Sequence, residues 1–179
     1  RASAGSGPAP RFLAISNTIT NMVLRIALLA AMCCGLPVLA QKADKKPKPA
    51  KPGKWVKMFN GKDLKDWKAN ENPESWVVEN GAIKGSGKVS HIFWMQEECV
   101  NCEFKAEARI TDGSNSGMYF RTAFGPGFPR GYEAQVNSSH TDRVRTGSLY
   151  SHVRVLEQLA PPGEWFTQHI QVEGNHITI

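Results

Sequence analysis

After residue 40 the chain has no stretch in which apolar residues recur at helical spacing. That excludes a helical bundle and any fold built on alternating strands and helices. Cysteine is scarce: there are four, and Cys33 and Cys34 lie in an apolar leader-like run, leaving the CVNC pair Cys99 and Cys102. A zinc site needs a second ligand pair at suitable spacing, and none accompanies this one. The histidines His91, His140, His152, His169 and His176 show no metal-ligand spacing either. A metal gathered from residues distant in sequence leaves no such trace. HExxH and GxSxG are absent, and GSGKVS fails as a phosphate loop because Ala82 stands where the upstream Gly belongs and Val89 replaces Ser/Thr. Two readings of Cys99 and Cys102 stay open. They form a short disulfide, as an oxidising compartment permits, or they are two small half-buried residues at a strand start.

A basic folded surface is also missing. The formal net charge is +6, yet residues 55–179 hold 13 basic and 15 acidic residues. The excess sits in residues 41–54 (QKADKKPKPAKPGK), with six Lys and one Asp. A nucleic-acid binder carries its basic face on the domain, so no nucleic-acid partner is expected. Proline and like charge make 41–54 a stiff, self-repelling linker, which could also touch anionic cell-envelope polymers.

The apolar run Ile26 to Cys34 is far shorter than the roughly 18 residues a spanning helix needs, and Gly35 and Pro37 prevent its continuation. Arg25 precedes the run and Val38-Leu39-Ala40 succeeds it as a small-residue cleavage site. Residues 22–40 therefore read as a signal peptide, cut after Ala40, of a secreted or periplasmic bacterial protein. Residues 1–21 lack sustained periodicity and read as an upstream, non-native or mis-called segment.

What remains is a succession of short strands. Residues 103–110 (EFKAEARI) alternate strictly, with Phe104, Ala106, Ala108 and Ile110 on one face. Such alternation marks a half-buried strand. SWVVENGAIKG predicts a hairpin about Asn80-Gly81, because that dipeptide suits a turn with positive φ at both central residues. MYFR (118–121), YEAQV (132–136) and SLY (148–150) predict further strands, and HIQVEGNHITI a closing hairpin about Gly174-Asn175. The expected fold is an all-β, two-sheet antiparallel sandwich. Ile179 falls inside a strand, so the sandwich is expected to be C-terminally truncated.

WVKMFNGKDLKDW, SWVVENGAIKG, NSGMYFR, GYEAQV, TGSLY and GEWFTQHIQVEGNHITI occur in that order over residues 55–179. In this combination the chain resembles the 3-keto-disaccharide hydrolase family, also named for 3-keto-glucoside 1,2-lyase and 3-keto-2-hydroxy-glucal hydratase activity. The resemblance implies a concanavalin-like jelly roll, continuing past Ile179. It also implies an enzyme that cleaves 3-keto-glycosides by elimination and hydration. The alternative is a non-catalytic secreted carbohydrate-binding module. A small oligosaccharide or oxidised glycoside is the expected partner.

Alternation places Tyr119 and Arg121 on one face of their strand, and Glu133 and Gln135 on one face of theirs. The same pattern fits ordinary outward faces carrying an Arg–Glu cross-strand pair. Read as a site, Glu133 is the base or a metal ligand and Arg121 stabilises the developing oxyanion. Gln135, Tyr119, Tyr150 and, from the loop NSSHTDRVRTG, His140 position the sugar. A divalent cation chelated by ketone and hydroxyl would ease the same step, but the sequence shows no ligand set for one.

Overall fold

The computed structural model describes residues 12–19, 22–25 and 53–179. It is a two-sheet antiparallel β-sandwich. Chain order runs β1 (Phe12–Ile19), β2 (Met22–Arg25), β3 (Trp67–Ala69), a 3-10 turn (Pro73–Ser75), β4 (Trp76–Glu79), β5 (Ala82–Gly85) and β6 (Ser90–Trp94). Next come β7 (Cys102–Ile110), β8 (Asn115–Thr122), β9 (Tyr132–Val136), β10 (Phe166–Glu173) and β11 (His176–Thr178). One sheet has the order β3-β6-β1-β8-β9, the other β11-β10-β7-β2-β5-β4.

Period-two patterning explains most of this. In β7, Cys102, Phe104, Ala106, Ala108 and Ile110 are buried, and Lys105 and Glu107 between them are exposed. They meet Ile92, Trp94, Met118, Phe120, Ala134 and Val136 of the facing sheet in one core. Each of the Ile, Val, Met and Phe side chains among them contributes roughly 1.5–3 kcal/mol when fully buried. The β4–β5 hairpin turns on Asn80 and Gly81, with φ of 52° and 74°, the positive values Asn-Gly tolerates. The β10–β11 hairpin turns at Gly174, φ 54°. Cys99 and Cys102 are joined in a disulfide that closes the turn into β7.

Three features depart from expectation. SLY is not a strand: Leu149 makes isolated bridges to Ala134 and Val153. β6 escapes the sequence pattern because every one of its residues is buried; with no wet face, alternation disappears. The third departure is at the N-terminus. The sequence pattern sets residues 1–21 apart from the fold and opens a leader at Met22. Instead β1 pairs with both β6 and β8, and β2 with both β5 and β7, in the middle of each sheet. A strand inserted between two others satisfies backbone groups on both sides, so these stretches are part of the fold. The run Ile26 to Cys34, the site ending at Ala40 and the linker up to residue 52 lie outside the described residues.

Candidate functional site

The strand pair β8–β9 sets Gly117 opposite Gln135 and Tyr119 opposite Glu133. Cross-strand partners share a face, and on this one the Tyr119 hydroxyl donates to Glu133 Oε2 at 2.8 Å. Gln135 lies beneath. With its amide turned so that both ends are satisfied, Nε2 donates to Glu133 Oε1 at 3.0 Å and to the Ser116 carbonyl at 3.1 Å. The opposite orientation would face the amide oxygen only toward acceptors. Gly117 supplies the room: a Cβ on it would lie 2.7 Å from Cδ and Cγ of Glu133. Glycine inside a strand weakens it and marks a close approach, and here the approaching group is the carboxylate.

Burial pushes the Glu133 carboxyl from its ordinary 4.5 up to about 7; the Tyr119 hydrogen bond opposes this and the Asp142 charge adds to it. A half-buried carboxyl poised near neutrality is suited to proton transfer. Tyr119 is buried, and desolvation, followed by the neighbouring Glu133, raises its pKa so that it stays protonated.

The other wall is the loop 137–146. Buried Asn137 donates to the Asp142 carbonyl at 2.9 Å and the Val144 carbonyl at 2.8 Å, and its Oδ1 accepts from His140 N at 3.0 Å. Arg145 Nη1 donates to the carbonyls of His140 (2.9 Å) and Asp142 (2.6 Å) and to Asn137 Oδ1 (3.1 Å). These bonds fix Asp142, whose Oδ2 accepts from the Tyr150 hydroxyl at 3.1 Å. Tyr150 is anchored in turn by its own N–H, which donates to the Glu133 carbonyl at 2.9 Å. The hydrogen bond to Asp142 raises the Tyr150 pKa, so the hydroxyl keeps its proton at neutral pH. A groove of about 330 Å³ opens here, lined by Asp142, Arg143, Val144, Tyr150, Arg154 and Leu156 among others.

Of the sequence-predicted set, Glu133, Tyr119, Gln135 and Tyr150 come together. Gln135 is 1% exposed, so it positions Glu133 from below and does not meet a sugar. His140 serves the loop, its Nδ1 accepting from the Asp142 N–H at 3.1 Å. Arg121 is a correction. The β1–β8 register shifts between Tyr119 and Thr122, and Arg121 adopts φ 52°. A bulge of this kind breaks alternation and re-aims the side chain. The guanidinium turns away from Glu133 to the Cys99–Cys102 loop, donating to the Val100 carbonyl at 2.8 Å and Asn101 Oδ1 at 3.2 Å. It clasps one sheet to the entry of the other.

Sequence reasoning missed Asp142 as the partner of Tyr150. It also missed the segment from Phe124 to Gly131 that straps over β6. Phe124 packs on Phe93 at 5.1 Å and Phe128 on His91 at 4.9 Å. Asn70 Nδ2 pins the strap through the carbonyls of Gly125 (2.9 Å) and Gly127 (2.8 Å). His91, fully buried and held neutral by a pKa lowered to about 4, abuts Tyr119 at 5.7 Å. Phe128 stays 59% exposed, an aromatic surface set apart from Tyr119 by the His91 ring. The readable signal was an aromatic inside a Gly-Pro-Gly-Phe-Pro turn, which has no local reason to hold one. Among the described residues, no three His, Cys, Asp or Glu side chains gather as a metal site.

Residues 54–179 match the family model described as the 3-keto-alpha-glucoside-1,2-lyase-like domain. Comparisons with curated proteins and with solved structures gave no match.

Proposed function

The chain belongs to the 3-keto-alpha-glucoside-1,2-lyase-like family, and from that premise we propose that it cleaves 3-keto-glycosides by elimination followed by hydration. The observation that carries the reading is the Glu133 carboxyl, raised to about 7, whose charge acts on Tyr150 in the wall of the groove. A ketone at carbon 3 acidifies the proton on carbon 2. Glu133 takes that proton, the C2–H electron pair forms the C1=C2 double bond, and the C1–O bond breaks toward the leaving group. Tyr150, protonated and oriented by Asp142, donates a proton to the departing oxygen. Water then adds to carbon 1, its released proton restoring Tyr150, and Glu133 returns its proton to carbon 2, giving net hydrolysis. Tyr119 and Gln135 hold the carboxylate, and Phe128 offers an apolar ring for the sugar to stack on.

The base must be ionised to act, so kcat/KM is expected to rise about tenfold per pH unit in acid and level off above about pH 7. A profile already flat at pH 5 would put the working base elsewhere. Phe128→Ala is expected to raise KM about 5- to 10-fold with kcat little changed, the size of one aromatic stacking contact. Steady-state kinetics on a 3-keto-glucoside read both numbers. Release of monosaccharide separates the enzyme from a module that binds the same sugar without cleaving it.

Action outside the cytoplasm, on small oxidised oligosaccharides, belongs to the same proposal. It is supported by the disulfide Cys99–Cys102, which an oxidising compartment permits.

A further inference from the structure

We propose that the groove beside Tyr150 is a subsite for an anionic leaving group, a sugar or aryl ring bearing a carboxylate, sulfate or phosphate, held by Arg143 and Arg154. This rests on the elimination reading above, in which Tyr150 faces the departing oxygen.

Three arginines surround the loop, and their surroundings divide them. Arg145 is committed to the acceptors of Asn137, His140 and Asp142. Arg143 and Arg154 both line the groove and are exposed, and neither is hydrogen-bonded or ion-paired among the described residues. The one acidic lining residue is Asp142. Its Oδ1 accepts from the Val144 N–H at 2.9 Å and its Oδ2 from Tyr150, so its oxygens are already engaged. The Arg154 charge reaches the Tyr150 hydroxyl, where it opposes the rise in pKa. The groove therefore offers two guanidinium groups next to the proposed acid, with Leu156 and Val144 as apolar wall. Guanidinium recognises planar or tetrahedral oxyanions through paired N–H donors. A neutral leaving group would leave both unused.

The test compares 4-carboxyphenyl and 4-carbamoylphenyl 3-keto-glucosides, which have similar shape and different charge. Wild type is expected to prefer the carboxylate about 5- to 10-fold in kcat/KM, as two solvent-facing charge contacts allow, and the preference should shrink as salt is raised. Arg143→Gln/Arg154→Gln should erase the preference, the carboxylate rate falling about 5- to 10-fold further than the carbamoyl rate. Equal rates in wild type, or a preference that survives the double substitution, would overturn the subsite while leaving the elimination reading intact. If neither glycoside is cleaved, the elimination reading fails. Calorimetric binding of the two compounds then decides the subsite: a carboxylate preference lost in the double variant supports it, and equal affinity overturns it.

Discussion

Glu133→Gln is expected to lower turnover of a 3-keto-glucoside by at least about 100-fold, the ordinary contribution of a positioned acid–base group, while the domain stays folded. The substitution preserves volume, removes ionisation and turns one of the two acceptor oxygens into a donor. It also carries an independent check on the carboxyl itself. Folding favours the protonated form, since burial lifts the pKa from 4.5 to about 7. The stability this residue permits is therefore full below pH 4.5 and declines as pH rises through 7. Glutamine does not titrate. The melting temperature of the variant should thus gain on wild type between pH 5 and pH 8. A variant that loses activity without that pH-dependent gain would mean that Glu133 sits at its ordinary pKa and acts in some other way.

Gly117→Ala should cost about 10- to 100-fold in kcat/KM, although Gly117 itself does not meet substrate. The added methyl would occupy the space of the Glu133 side chain, forcing the carboxylate off Tyr119 and Gln135. Displacing a reacting group by about 1 Å is enough for a loss of this size. The clash is with a half-buried side chain that can swing toward water, so stability should change little. A purely structural role for Gly117 predicts the opposite pairing, lost stability with normal specific activity. The pH profile separates the two further. A carboxylate turned out to solvent loses its desolvation, and the acid limb of the residual activity should move down from about 7 toward 4.5.

The sequence made the framework legible where one face of a strand is wet and the other dry. β7 is the clearest case, and the turns at Asn80-Gly81 and Gly174 followed from the backbone those residues favour. Reading failed where that asymmetry is absent. β6 is covered on both sides, by the core and by the Phe124 to Phe128 strap, so His91 and Phe93 gave no alternating pattern. The site was legible as far as alternation holds. It carried Tyr119, Glu133 and Gln135 onto one face, and broke at Arg121, where a bulge and a positive φ turn the next side chain toward another loop. Nothing in MYFR announces that bulge. Asp142 and Phe128 come from loops, where contacts depend on tertiary hydrogen bonds such as those of Asn137 and Asn70. Gly117 could have been noticed, since a glycine between strand residues asks what lies against it. β1 and β2 were read by the charge and apolarity of their neighbourhood, which carry no information about pairing.

Proton abstraction by Glu133 is tested most directly with a 3-keto sugar that cannot eliminate. A 3-keto-1,5-anhydrohexitol has no leaving group at carbon 1, and in D₂O its carbon-2 proton can only exchange. Proton NMR should show wild-type enzyme replacing that proton with deuterium, and Glu133→Gln doing so at the buffer rate. Equal exchange by the two proteins would contradict the assignment of the base, and retention of the carbon-2 proton by an enzyme that still cleaves 3-keto-glycosides would contradict the elimination itself.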